Sequence, residues 1–180
     1  MPLLAQALLI AALAALPFRG RWKLLALLPA ILSLAPLGEG VSLAMMLRGL
    51  WGDFSVTSLQ LLVLCLAGRP PQALGWRGPA LIAASAALFY PLALGLGDFD
   101  PYRLGYTAWP LLAVFGAFAL AAWWRGQPIW LWLLTIDILA WAAGLLESPN
   151  LWDTLLDPLL AAAMLILALR NGWRTYKTRS

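Results

Sequence analysis

Residues 128–146 read PIWLWLLTIDILAWAAGLL, nineteen positions with a single charge, Asp137, at their middle. Proline at the head suits a helix start, because a first-turn N–H has no intrahelical partner and its loss costs nothing. An apolar run of this length falls within the roughly 17 to 25 residues that carry a helix across a bilayer core. Further apolar runs flank it at 3–18, 22–38, 54–68, 79–97, 105–124 and 151–169. The expectation is an all-α integral membrane protein: a bundle of about seven transmembrane helices forming one polytopic domain over residues 1–180.

Composition points the same way. Of the 180 residues, 63% are hydrophobic and 11% are charged, whereas soluble domains run nearer half and a quarter. Runs 3–18 and 54–68 are short for a span, so flanking Arg and Trp side chains or local thinning of the bilayer are expected to help them. Between the second and third runs, residues 41–51 place Leu43, Met46, Leu47 and Leu50 on one helical face. That pattern predicts a short helix lying in the outer interface, with a re-entrant segment as the alternative.

Orientation follows from assigning loops alternately to two sides. One side receives Arg19, Arg21, Lys23, Arg69, Arg77, Arg125, Arg170, Arg174, Lys177 and Arg179. The other receives Glu39, Asp53, Asp98, Asp100, Glu147 and Asp153, with Arg48 and Arg103 as its cations. The positive-inside rule then puts the N-terminus outside and the C-terminus in the cytoplasm of a multi-pass inner (plasma) membrane protein. The basic residues follow the first run instead of preceding it, the reverse of a cleaved signal peptide, so that run is expected to be retained. Trp22, Trp76, Trp123, Trp124, Trp130 and Trp173 on one side, and Trp51, Trp109 and Trp152 on the other, read as interface anchors.

Several function classes fall away. The chain has no histidine, which removes His-held haem, His-containing zinc sites and Ser-His or Cys-His nucleophile pairs. Its one cysteine, Cys65, lies within an apolar run and supports no disulfide framework. The net charge of +4 is spread over short loops. It therefore points to anionic lipid headgroups, not nucleic acid. With no Walker loop, dinucleotide fingerprint or paired-Cys motif, no cofactor, metal or catalytic set is expected. The partners expected are membrane lipids and other membrane subunits.

Four groups of polar residues stand out. Asp137 sits in an apolar helix, where a carboxylate costs about 2.5 to 3.5 kcal/mol on insertion scales and should face an interior or a wet cavity. It is either a proton- or cation-relay group, or a protonated acid tying two helices together, with Gln60 of the third run as the partner. Ser55, Thr57, Ser58, Ser85 and Tyr90 either line a path or, more simply, form interhelical hydrogen bonds.

The third group comprises Arg48, Asp53, Asp98, Asp100 and Arg103. Arg48 lies five residues before Asp53 and Arg103 five after Asp98, bracketing the 54–97 hairpin symmetrically. The two guanidinium groups could converge on one phosphate or carboxylate, but two local Arg–Asp pairs fixing the loops are the commoner arrangement. In the last run, Asp153 and Asp157 are four residues apart, on one face of a continuous helix. Asp153 reads as a first-turn acid and Asn150 as a cap. Asp157, a turn deeper and next to Pro158, is a candidate ligand-binding acid.

Three functional readings follow. The first, favoured because catalytic signals are missing, is an accessory or structural subunit of an envelope complex handling lipid or lipid-linked substrates. The second is a small proton- or cation-coupled carrier centred on Asp137 and Gln60. The third is a membrane enzyme that binds a lipid-linked phosphate at the outer face through Arg48 and Arg103.

Overall fold

The computed structural model describes residues 2–18, 20–68 and 75–178. Arg19, Arg69 and Arg179, which the orientation argument used, lie outside the described residues. Among the described residues the chain forms nine α-helices, and the contacts divide it into two compact units. One unit comprises Met1–Phe54 with Ser58–Ala73, the other Ser55–Thr57 with Leu74–Ser180.

In the first unit, α1 (Pro2–Ala14) packs on α2 (Leu27–Leu32) and α3 (Leu43–Trp51). Ala7 and Ala11, one turn apart on α1, meet Ala30 of α2 in a small core edged by Leu34 and Leu66. A two-stranded ribbon, β1 (Pro36–Gly38) with β2 (Val41–Ser42), precedes α3. Its turn residues Glu39 and Gly40 both have positive φ, 47° and 78°. That conformation matches the right-handed twist of the strands, and the glycine supplies half of it without strain. Ser42 then caps α3, its hydroxyl accepting from the Met45 N–H at 3.2 Å. Gln6 is fully buried: its amide nitrogen donates to the Gly52 carbonyl at 3.0 Å, and its amide oxygen accepts from the Trp51 indole at 3.0 Å. The helix α4 (Val56–Leu66) starts in the second unit and runs on in the first.

In the second unit, α5 (Arg77–Ala93) packs along α9 (Pro158–Lys177), and α6 (Trp109–Trp124) along α7 (Pro128–Ala142). The short α8 (Leu151–Leu155) packs on α7, and a 3-10 turn, Pro101–Gly105, touches α5, α6 and α8. The core gathers Ala108, Leu111, Ala119, Leu134, Leu151 and Leu155, with Phe115 and Trp152 packed against it. Gly105 sits so close to the Asn150 side-chain amide that a β-carbon at that position would overlap it.

The membrane-spanning expectation is overturned. Among the described residues no helix is long and apolar enough to cross a membrane. Helix forms within each of the seven apolar runs, but in shorter pieces. The 17 residues of α5 make about 25 Å of helix at 1.5 Å per residue, against a hydrocarbon core of about 30 Å. The longest, α9 with 20 residues, carries Arg170, Arg174 and Lys177 in its final turns.

Backbone chemistry explains the shortening. At the end of α7, Gly144 takes φ 61°. Its N–H donates to Trp141, and the Leu145 N–H reaches back to Ala140. This pair of bonds closes a helix around a left-handed glycine and satisfies its last carbonyls. The same pattern of bonds ends α5 at Gly95 and α6 at Gly126. In the second run, residues Gly20–Ala26 wind as a 3-10 helix and leave α2 only 6 residues.

With the spans go the transmembrane and polytopic descriptions, the multi-pass inner-membrane localisation, and the inside–outside assignment of the termini. The segment expected to be interfacial is helical, as α3. Nor are the tryptophans uniform anchors. Trp130 is buried, Trp152 packs on Phe89 and Phe115 at ring distances of 4.5 Å and 5.7 Å, and Trp51 holds Gln6.

Candidate functional site

The second unit encloses a cavity of about 360 Å³. Each wall reflects the helical repeat, in which residues three and four positions apart share a face. Helix α5 contributes Leu81, Ile82 and Ser85, and α6 contributes Val114, Phe115 and Phe118. Helix α7 supplies Trp130, Leu133, Leu134 and Asp137 from a single stripe. Trp152, Leu155 and Leu156 from α8, with Leu160 from α9, complete it. Leu81, Ser85 and Val114 are exposed and form the rim, whereas Leu133, Leu155 and Leu160 are buried at the floor.

Polar groups in this lining are few: Thr57, Ser85 and Asp137. Asp137 is 1% exposed, and its Oδ2 accepts a hydrogen bond from the Thr57 hydroxyl at 2.8 Å. A buried carboxyl needs such donors, because an unpaired one would lose its hydration without replacement. The expected partner, Gln60, lies in the part of α4 assigned to the first unit. Thr57, one turn before Gln60, donates to Asp137 from the same helix.

A second carboxylate is tied to the same stretch of chain. Asp157 Oδ2 accepts from the Ser55 N–H at 2.9 Å and from the Ser55 hydroxyl at 2.7 Å, while Oδ1 accepts from the Leu160 N–H at 2.8 Å. Asp157 therefore caps α9, with Pro158 in its first turn. The continuous last helix expected from sequence is broken here, since Leu156 and Asp157 are extended. Asp153 and Asp157 thus do not share a helical face. Ser55–Thr57 links α7 and α9 through two buried acids.

Around the 3-10 turn the polar groups serve structure. Asn150 caps α8, accepting from the Trp152 N–H at 2.9 Å and donating to the Tyr102 carbonyl at 3.0 Å. Asp100 accepts from the Tyr102 N–H at 2.9 Å, and the Tyr102 hydroxyl donates to Asp153 at 2.9 Å. Burial first, and then that bond and charge of Asp153, raise the Tyr102 hydroxyl above its ordinary range. Tyr90 is raised likewise, by burial and then by the charges of Asp157 and Asp153. Thr154 Oγ1 is buried with no hydrogen-bond partner.

The residues expected to form the paired-arginine site are divided between the two units. Arg48 is held by Asp53 through two bonds, at 2.6 Å and 3.0 Å, within the first unit. Arg103 lies exposed on the 3-10 turn of the second, where Asp98 is exposed in the preceding bend and Asp100 caps the turn. No cluster of three or more potential metal-ligating side chains occurs among the described residues. No protein family, curated protein or solved structure matches this chain. What the second unit offers is an apolar chamber of small-molecule size with one buried acid in its wall. The sequence reading named Asp137 and Ser85 but missed the aromatic lining. The spacing of Trp130, Leu133, Leu134 and Asp137 carried that signal.

Proposed function

We propose that the chain is an accessory, lipid-handling protein that holds an apolar small molecule in the cavity of its second unit. The observation carrying this reading is the cavity itself. Its volume of about 360 Å³ lies at the lower end of the about 300 to 1,000 Å³ typical of ligand sites, which are likewise mostly apolar with a few convergent polar groups. It is more than twice the roughly 150 Å³ that accommodates benzene. The occupant expected is an aliphatic or ring-bearing body with a single hydrogen-bond-donating or cationic head directed to Asp137. An anionic head is disfavoured there, because the lining offers it no cation and few hydrogen-bond donors to replace its hydration. The carrier and outer-face enzyme readings both required spanning helices and are not carried forward.

The test is a titration with bromodecanol, whose bromine quenches nearby tryptophan, because Trp130 and Trp152 line the cavity. Saturable quenching is expected, weakened about tenfold or more when Ser85→Phe fills the rim. Decylamine should compete and decanoate should not. Quenching that never saturates, or that Ser85→Phe leaves unchanged, would remove the cavity as the binding site.

A further inference from the structure

Away from the cavity, the last turns of α9 carry a separate surface. Arg170, Arg174 and Lys177 are exposed and follow one another at steps of four and three, so they line one face. Beside them runs a second exposed stripe, Ile166, Leu169, Trp173 and Tyr176, at steps of three, four and three. The two stripes are coupled: the Lys177 ammonium sits 5.5 Å from the centre of the Trp173 ring, which lies 6.1 Å from that of Tyr176.

The start of α5 joins this surface. The Asn171 side-chain amide donates to the Gly75 carbonyl at 3.1 Å, fastening the end of α9 to the chain just before α5. There Arg77 is exposed, with its guanidinium 5.8 Å from the centre of the exposed Trp76 ring. No Asp or Glu occurs between Asp53 and Asp98, nor anywhere after Asp157.

We infer that this end of the α5–α9 pair docks on an anionic lipid surface, lying against the headgroups without crossing the bilayer. Cations beside Trp and Tyr, flanked by apolar side chains, match a headgroup layer that is negative outside and apolar just beneath. A nucleic acid would use the same cations through its phosphates but gives Ile166 and Leu169 no apolar layer to enter. The placement of Trp173 and Tyr176 beside those aliphatic residues decides for lipid.

Flotation with phosphatidylcholine vesicles, with and without phosphatidylserine, tests this. Binding is expected only where phosphatidylserine is present, and high salt should release it. Each cation near an anionic surface strengthens binding about fivefold, so the triple variant R170Q/R174Q/K177Q should bind about 100-fold more weakly. Trp173→Ala should weaken binding while leaving its preference for phosphatidylserine. All four substituted positions are exposed, and far-UV ellipticity checks that the helices persist. Ser85→Phe should bind vesicles like the parent, which separates this surface from the cavity. Equal binding of parent and triple variant, or equal binding to vesicles lacking phosphatidylserine, would overturn the inference, and Trp173→Ala binding vesicles as tightly as the parent would favour a nucleic acid over lipid.

Discussion

Replacing Asp157 with Ala should be among the most damaging single substitutions in the second unit. The side chain satisfies three donors: the Leu160 N–H, the Ser55 N–H and the Ser55 hydroxyl. Loss of the helix cap costs about 1 kcal/mol. Taking the acceptor from each of two buried Ser55 donors costs about 1 to 3 kcal/mol apiece. The expected loss is about 3 to 7 kcal/mol, a large part of the roughly 5 to 15 kcal/mol that holds a domain together. Asp157→Asn should be milder, because its oxygen can still cap α9 and its amide can donate to the Ser55 oxygen, leaving mainly the Ser55 N–H unserved. Ser55→Ala alone should cost about 1 kcal/mol. Urea unfolding followed by far-UV ellipticity measures each, and the Ser55→Ala/Asp157→Asn double variant closes the cycle. If Asp157→Ala costs less than about 1 kcal/mol, or the two changes add within about 0.5 kcal/mol, Asp157 is not the tie between Ser55 and α9.

Thr154→Val should raise stability by about 1 kcal/mol, because it removes a buried hydroxyl without a partner while keeping the shape; a lower urea midpoint would show that the hydroxyl is satisfied. Tyr90 and Tyr102 are held neutral in the fold, above the ordinary value of 10.0 at which the unfolded side chains ionise. The stability they confer is therefore complete below about pH 10 and lost as pH rises past it. Their phenolate absorbance should appear together with the loss of helical ellipticity. Ionisation of all four tyrosines before any helix melts would contradict this.

The positions of the helices were legible in the sequence, while their lengths were misread. Hydrophobicity overrode punctuation: Gly95, Gly126 and Gly144 lay in plain view, yet the apolar runs were carried past two of them. Asp157-Pro158 is a helix-start signature by the same logic as Gln127-Pro128, but the apolar run 151–169 reads as one continuous helix capped by Asn150, which hides it. Asn150 and the local pairing of Arg48 with Asp53 were readable because their partners lie within five residues. Thr57 with Asp137 was not, since nothing in a single sequence measures the distance between residues 80 positions apart. The walls of the cavity needed the same long-range knowledge.

The short stretch Ser55–Thr57 has a consequence in time. Its partners lie far downstream, 80 residues for Thr57 and 102 for Ser55. At about 5 to 20 residues per second, a ribosome delivers Asp157 about 5 to 20 s after Ser55 has been made. For that interval the stretch is committed to contacts that do not yet exist, while the chain on either side of it belongs to the other unit. The second unit therefore cannot be finished until nearly all of the chain has been synthesised. Nor can one cut of the gene separate the two units: a fragment beginning at residue 75 would leave both acids without their serine and threonine.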